Sequence, residues 1–215
     1  MNKPHTAMKA LLVLWIPIAC SCVAPVNLTF DTAKTLRKGE VDVQGSFSTY
    51  LSKGENINSN FGGKLGVGIT DTYTIKLRYE HLEPTAFFWS SDPLFSIDYV
   101  PVVDYFELEN KIALGKSAAI GLPLAYYSWG SFSFDPRYYV TFVNKSKTID
   151  CTFVPKIHFL VYEWKYTSIT PGIAFGMGIS SDLDRWAIRP EIGWDGYTSY
   201  GVALTINLFT PKSQP

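Results

Sequence analysis

From Glu40 onward, apolar and polar residues alternate with a period of two, the mark of strands whose two faces meet different surroundings. The clearest case is 72–82, where Tyr73, Ile75, Leu77 and Tyr79 share one face and Thr74, Lys76, Arg78 and Glu80 the other. The stretch 185–195 repeats it, with Trp186, Ile188, Pro190, Ile192 and Trp194 opposite Ala187, Arg189, Glu191 and Gly193. In 199–209, Tyr200, Val202, Leu204, Ile206 and Leu208 face away from Gly201, Ala203, Thr205 and Asn207. Weaker alternation marks further strands at 40–51, 61–69, 102–114, 117–128, 137–144, 149–161 and 168–179. No segment of similar length carries a helical period. The pattern predicts an all-β fold, an antiparallel up-and-down transmembrane β-barrel of about ten strands, with eight as the alternative count.

The connections differ in kind. Those at 70–71, 115–116, 145–148 and 180–184 are short, while 52–60, 83–101, 129–136 and 162–167 are mostly longer; the last hairpin, at 195–197, is a short exception. Short turns on one side and long loops on the other suit a membrane barrel. An even strand count returns both ends of the barrel to the turn side. A soluble sandwich shares the period of two, so the faces must be told apart. Gly62, Gly66, Gly68, Gly121, Gly172, Gly176, Gly178 and Gly193, with Ala174, crowd the polar face. Glycine weakens a strand facing water but makes room for large neighbours inside a narrow barrel. Trp186 and Trp194 bracket the apolar face. Their separation is roughly 26 Å along a strand, on the order of 20 Å across a membrane once tilted, near the ~25 Å apolar band between aromatic girdles. The soluble alternative, a lipocalin-like carrier, lacks its expected Gly-x-Trp in the first strand.

Composition agrees: aromatics are 15% and charged residues only 18%. The N-terminus is read apart from the barrel. Lys3 and Lys9 precede the apolar run 10–19, which has the proportions of a signal peptide and is too short to span a bilayer. The expected organisation is a signal peptide at 1–19, a periplasmic lead-in at 20–39, the barrel at 40–209 and a tail at 210–215. Removal of 1–19 leaves 17 basic against 19 acidic side chains. No basic stripe remains, so nucleic-acid binding is set aside. Ala19-Cys20-Ser21-Cys22 resembles the lipobox of bacterial lipoproteins, which makes Cys20 and Cys22 candidate lipidation sites; Pro17 departs from the usual aliphatic. A lipid in the inner leaflet would suit a lead-in on the turn side. Cys151 has no partner at metal-ligand spacing, and neither a metal nor a cofactor is expected.

The run 179–194, ISSDLDRWAIRPEIGW, and the lead-in 30–39, FDTAKTLRKG, resemble segments of small Gram-negative outer-membrane β-barrels. The resemblance is architectural and implies fold and location, the bacterial outer membrane, rather than an activity. If the polar face is the lumen, its acids are Glu40, Asp42, Glu80, Glu107, Glu109, Asp150 and Glu191, and its bases Lys64, Lys76, Arg78, Lys111, Lys156 and Arg189. His158 shares that face. In a ten-strand barrel such charges are expected to pair and fill the interior, with Arg189 and Glu191 suited to each other. A narrow pore for small solutes or ions is the alternative. Enzyme chemistry is not expected, because His81 and His158 lack a serine motif. The loop 83–101 carries Phe87, Phe88, Trp89, Phe95 and Tyr99, a density of aromatics that suits a protein or glycan partner, or membrane lipid.

Overall fold

The computed structural model describes residues 26, 28–52, 55–84, 102–162 and 166–209. Eleven strands run through them: β1 (Val41–Ser52), β2 (Glu55–Thr70), β3 (Tyr73–Pro84), β4 (Val103–Ala113), β5 (Ala118–Tyr127), β6 (Ser131–Phe134), β7 (Arg137–Val143), β8 (Ile149–Tyr162), β9 (Tyr166–Ile179), β10 (Trp186–Trp194) and β11 (Thr198–Phe209). Each pairs antiparallel with its neighbours, and β1 pairs with β11, so the sheet closes on itself. Strands β6 and β7 both lie between β5 and β8. They are two halves of one stave, which makes ten staves in all. The break falls at Asp135-Pro136, where proline supplies no amide and Ile157 donates to the Pro136 carbonyl across it.

Closure leaves no sheet edge among these staves, and the alternation decides which side faces where. On β3, Tyr73, Ile75, Leu77 and Tyr79 point outward while Thr74, Lys76, Arg78 and Glu80 are buried. Leu77 is 55% exposed and Glu80 fully buried. Ile188, Ile192, Trp186 and Trp194 on β10, and Tyr200, Val202, Leu204, Ile206 and Leu208 on β11, stand outward in the same way. Leu65, Phe106, Leu108, Leu124, Phe142, Ile157 and Phe175 extend that surface around the circumference. So wide an apolar belt suits hydrocarbon rather than water.

Three connections depart from expectation. Strands β1 and β2 extend over most of 52–60, β8 and β9 over half of 162–167, and β6 over 131–134. The β5–β6 turn is the tight Ser128-Trp129-Gly130, with Gly130 in the left-handed region at φ 91°. Asp135-Pro136 looks like a loop signal, yet the alternation Ser131, Ser133, Asp135, Arg137, Tyr139 continues inward through it. One connection remains long, that between β3 and β4.

The lead-in departs further. Expected outside the barrel, it lies inside from Val26 onward. Val26, Leu28, Thr29, Phe30, Asp31, Thr32, Ala33, Thr35 and Leu36 are all buried. This strap makes no ladder with any strand and runs down the lumen to Gly39, where a left-handed φ of 81° turns the chain into β1. Glycine adopts that conformation without steric cost.

Candidate functional site

A backbone without a ladder must find partners elsewhere, because each buried N–H or C=O left unpaired is costly. The strap finds them on lumen side chains. The Glu191 carboxylate accepts from the amides of Thr29 and Phe30, each at 2.6 Å. Lys64 Nζ donates to the Thr29 carbonyl at 2.7 Å, Arg78 Nη1 to Leu28 at 2.7 Å, and Gln44 Nε2 to Phe30 at 2.7 Å. Lys111 Nζ donates to the Thr32 carbonyl. The hydroxyls of Thr141 and Thr74 accept from the amides of Ala33 at 2.6 Å and Leu36 at 2.9 Å. Phe30 sits at φ 49°, a strained conformation for a residue with a side chain. Bonds on both sides hold it there, and its ring lies against Gly201 and within a buried cluster with Leu28 and Ala203.

Asp31 is the electrostatic centre. Its carboxylate lies 2.9 Å from Lys76 Nζ, 2.9 Å from Lys111 Nζ and 3.8 Å from Lys64 Nζ. Three lysines on adjacent staves would repel one another in a low-dielectric interior. One strap carboxylate shared among them, with Asp42 at 3.5 Å from Lys76, makes their burial tolerable.

Around this contact the other inward groups form separate knots. Arg78 Nε donates to Glu80 at 2.9 Å, with Nη2 in ion-pair contact at 2.8 Å, and Glu80 accepts from Ser46 at 2.9 Å. Arg137, 1% exposed, donates to Glu107 at 2.6 and 3.1 Å, and Tyr105 donates to the same carboxylate. Tyr139 donates to Glu109 at 2.6 Å. Arg189 meets Asp150 through two bonds of 2.8 and 2.9 Å. His158 Nδ1 meets Asp135, whose other oxygen accepts from Ser133 at 3.2 Å. Lys156 is buried beside Gly172 and Asp195; burial pushes the Asp195 carboxyl up from its ordinary range, partly offset by Lys156.

The inward residues named from sequence are thus distributed over several knots rather than one network. Arg189 and Glu191 do not pair: Arg189 takes Asp150, and Glu191 takes the strap. The interior is filled not by paired side chains alone but by a length of backbone that they grip. Sequence reasoning missed Asp31, Asp135, Arg137 and Tyr139. The last three carry a readable signal, since inward parity continues across the Asp135-Pro136 break. Asp31 carries none, because the strap has no period of its own. His81, expected near the outer end of its strand, is half-exposed and bonds Asp104 at 3.0 Å. Cys20, Cys22 and the loop aromatics Phe87, Phe88, Trp89, Phe95 and Tyr99 lie outside the described residues.

Fold and lumen together define a closed ten-stave β-barrel, apolar outside and ionic inside, occupied by its own N-terminal segment. No protein-family model matches the chain, and no curated protein sequence matches it. Among solved structures it is similar to a de novo designed transmembrane β-barrel, at TM-score 0.39 and 8% identity, covering 81% of this chain and 100% of that one. It is also similar to the N-terminal β-barrel domain of Pseudomonas aeruginosa OprF, at TM-score 0.37 and 10% identity over 80% and 100% of the two chains. A third is Ail, the attachment invasion locus protein of Yersinia pestis, at TM-score 0.29 and 7% identity over 79% and 97%.

Proposed function

We propose that this chain is a small β-barrel of the bacterial outer membrane, exported by residues 1–19. Its lumen is plugged by its own strap, and it acts without chemistry of its own, in a structural, accessory or surface-binding role. One observation carries the reading: the apolar side chains face out, and the charges within grip the strap instead of lining an open channel. A soluble lipocalin-like carrier needs the reverse, an apolar cavity within a hydrated shell. Beside the strap, a cavity of about 60 Å³ is lined by Asp31, Asp42, Gln44 and Arg189. That is room for a few waters rather than a solute path.

The non-enzymatic reading rests on the His158 geometry. Ser133 donates to Asp135, not to the imidazole, so among the described residues the Asp135–His158 pair has no hydroxyl in line to activate. Surface binding falls to the loop 85–101, whose aromatics suit a protein or glycan partner.

Planar-bilayer recording of the purified protein tests the plug. The expected result is a silent membrane, from protein whose migration on gels shifts on boiling; steady ion-selective steps would replace the plug with a narrow pore. Release from membranes by alkaline carbonate would overturn the membrane reading itself.

A further inference from the structure

The two mouths of the barrel differ in charge. The strap ends at the mouth that carries the short turns. There Lys34 Nζ meets Asp184 in the β9–β10 turn at 2.8 Å, Thr35 Oγ1 donates to the Asp71 carbonyl at 3.1 Å, and the Lys38 amide donates to the Asp71 side chain at 3.1 Å. Lys34, Arg37 and Lys38 thus share this rim with Lys116 of the β4–β5 turn, Lys145 and Lys147 of the β7–β8 turn and Arg185 of the β9–β10 turn, all exposed. Against these seven bases the rim sets three acids, Asp71, Asp182 and Asp184. At the opposite mouth the accessible carboxylates among the described residues are Glu83 and Asp104, with His81 between them.

The acids do not neutralise the basic rim. Asp184 takes Lys34 and, at 3.5 Å, Lys147; Asp182 lies 3.4 Å from Arg185; and Arg37 reaches the buried Glu40 at 4.0 Å. Among the described residues the side chains of Lys38, Lys116 and Lys145 have no ionic partner. An exposed lysine is ordinarily only solvated, but these stand at the edge of the apolar belt. Leu114, 56% exposed, lies two residues before Lys116, and Val143, 55% exposed, two residues before Lys145; outward Trp186 adjoins Arg185. Two residues of chain cover at most roughly 7 Å, and the headgroup layer on each side of the hydrocarbon is roughly 5–7 Å deep. The cationic groups therefore lie at the level of the lipid phosphates, with their stems along apolar surface. Between the foot of the strap and the β2–β3 and β4–β5 turns runs a groove of about 690 Å³. Lys34, Arg37 and Lys116 line it with a single acid, Asp71, and Leu114 forms its apolar edge.

Resting on the outer-membrane reading, we infer that this rim is a binding surface for anionic phospholipid headgroups of the leaflet beside the turns. The phosphate sits in the groove between Arg37 and Lys116, and the acyl chains pass Leu114 into the hydrocarbon. Lys38 and Lys145 extend the positive surface along the rim. A headgroup held there also closes over the end of the strap.

The test places the full chain in phosphatidylcholine vesicles with a trace of spin-labelled phosphatidylglycerol or spin-labelled phosphatidylcholine. Electron paramagnetic resonance reads the motionally restricted fraction of each. At about 10 mM salt, where charges act over about 30 Å, phosphatidylglycerol should associate about fivefold more strongly, the gain from one basic residue at an anionic surface. Near 1 M salt, with a screening length of about 3 Å, the preference should vanish. K38Q, K116Q and K145Q together should bring the ratio close to one, in protein whose migration still shifts on boiling. Equal association of the two lipids with the parent chain overturns the proposal and leaves the rim to an acidic protein. A preference that survives the triple substitution removes the site from this rim. If neither lipid is restricted, the membrane reading fails instead.

Discussion

The two walls of the lumen are built on opposite plans. The wall formed by β2, β3 and β4 is dense with charge: Lys64, Lys76, Arg78, Glu80, Glu107, Glu109 and Lys111 all point inward and are buried, and Arg137 follows on β7 beyond β5, whose inward Ala119, Gly121 and Ala125 are small. The wall formed by β9, β10 and β11 is made mostly of small groups, Gly172, Ala174, Gly176, Ala187, Gly193, Gly201 and Ala203, with Arg189 and Glu191 as its charges. The strap lies between them. The first wall supplies most of the charge that grips the strap, with Glu191 gripping from the second, and both supply space, Gly66 and Gly68 against Leu36 and Arg37 and Gly201 against Phe30. A Cβ placed on Gly201 would lie 2.8 Å from the Phe30 ring and 2.4 Å from the Phe47 carbonyl, so at this position the small-residue wall is fitted to the strap as well as to the neighbouring strand. Polarity alone does not seat a plug; vacated volume on the facing side is needed too.

Changes on each wall should separate these contributions. The largest effect is expected for Asp31→Asn, which leaves Lys64, Lys76 and Lys111 facing one another without their shared anion. Stranding buried charge in this way costs about 3–5 kcal/mol. It should appear as a lowered unfolding midpoint in the gel-migration assay and as channel openings in planar bilayers. On the small-residue wall, Gly201→Ala pushes against backbone as well as the Phe30 ring, and overpacking of this kind costs about 1–3 kcal/mol. Faster proteolysis after Lys34 or Arg37 would report the displaced strap; an unchanged rate would show that the wall yields. Glu191→Gln keeps the shape but removes the negative acceptor of two strap amides. A loss of about 1–2 kcal/mol in the same unfolding midpoint is expected, given that charge-assisted bonds are roughly twice as strong as neutral ones.

The smallest effect belongs to the latch at the turn mouth. The hydrogen bond from Lys34 holds the Asp184 carboxyl below its ordinary value of 3.8. A depressed folded value means that the latch contributes fully above the unfolded value and fades as pH falls through the folded one. Both partners are about half-exposed, with side-chain exposures of 44% and 47%, so the contribution is about 0.2–1 kcal/mol. Lys34→Ala should lower the neutral-pH midpoint by that small amount and leave stability in strong acid unchanged, so the stability–pH curve is flatter below about pH 4.

Much of the barrel was legible because hydrocarbon on one side and a packed interior on the other impose a strict period of two. Tyr73 to Glu80 and Trp186 to Trp194 follow it without exception, and the glycines opposite Glu80, Glu109 and Asp150 explain themselves once those side chains need room. The strap obeys no such rule. Its residues meet lumen on every side, so apolar Phe30, ionic Asp31 and hydroxylic Thr32 follow one another without rhythm, and nothing in their order distinguishes an enclosed segment from a solvated leader. The charged face was visible; its principal partner was not, because that partner is mostly main chain. The Asp135-Pro136 step hid the first half of one stave, β6, for a simpler reason, since a break in hydrogen bonding need not break the parity of side chains.

The pairing of β1 with β11 has a consequence for biogenesis. These strands come from opposite ends of the barrel sequence, and their ladder from Val41–Phe209 to Leu51–Thr198 is the seam that completes the cylinder. A segment wrapped on every side cannot be inserted through a finished wall as easily as it can be laid into an open one. Geometry therefore favours laying the strap in, as a mandrel between the staves, before the seam is sewn.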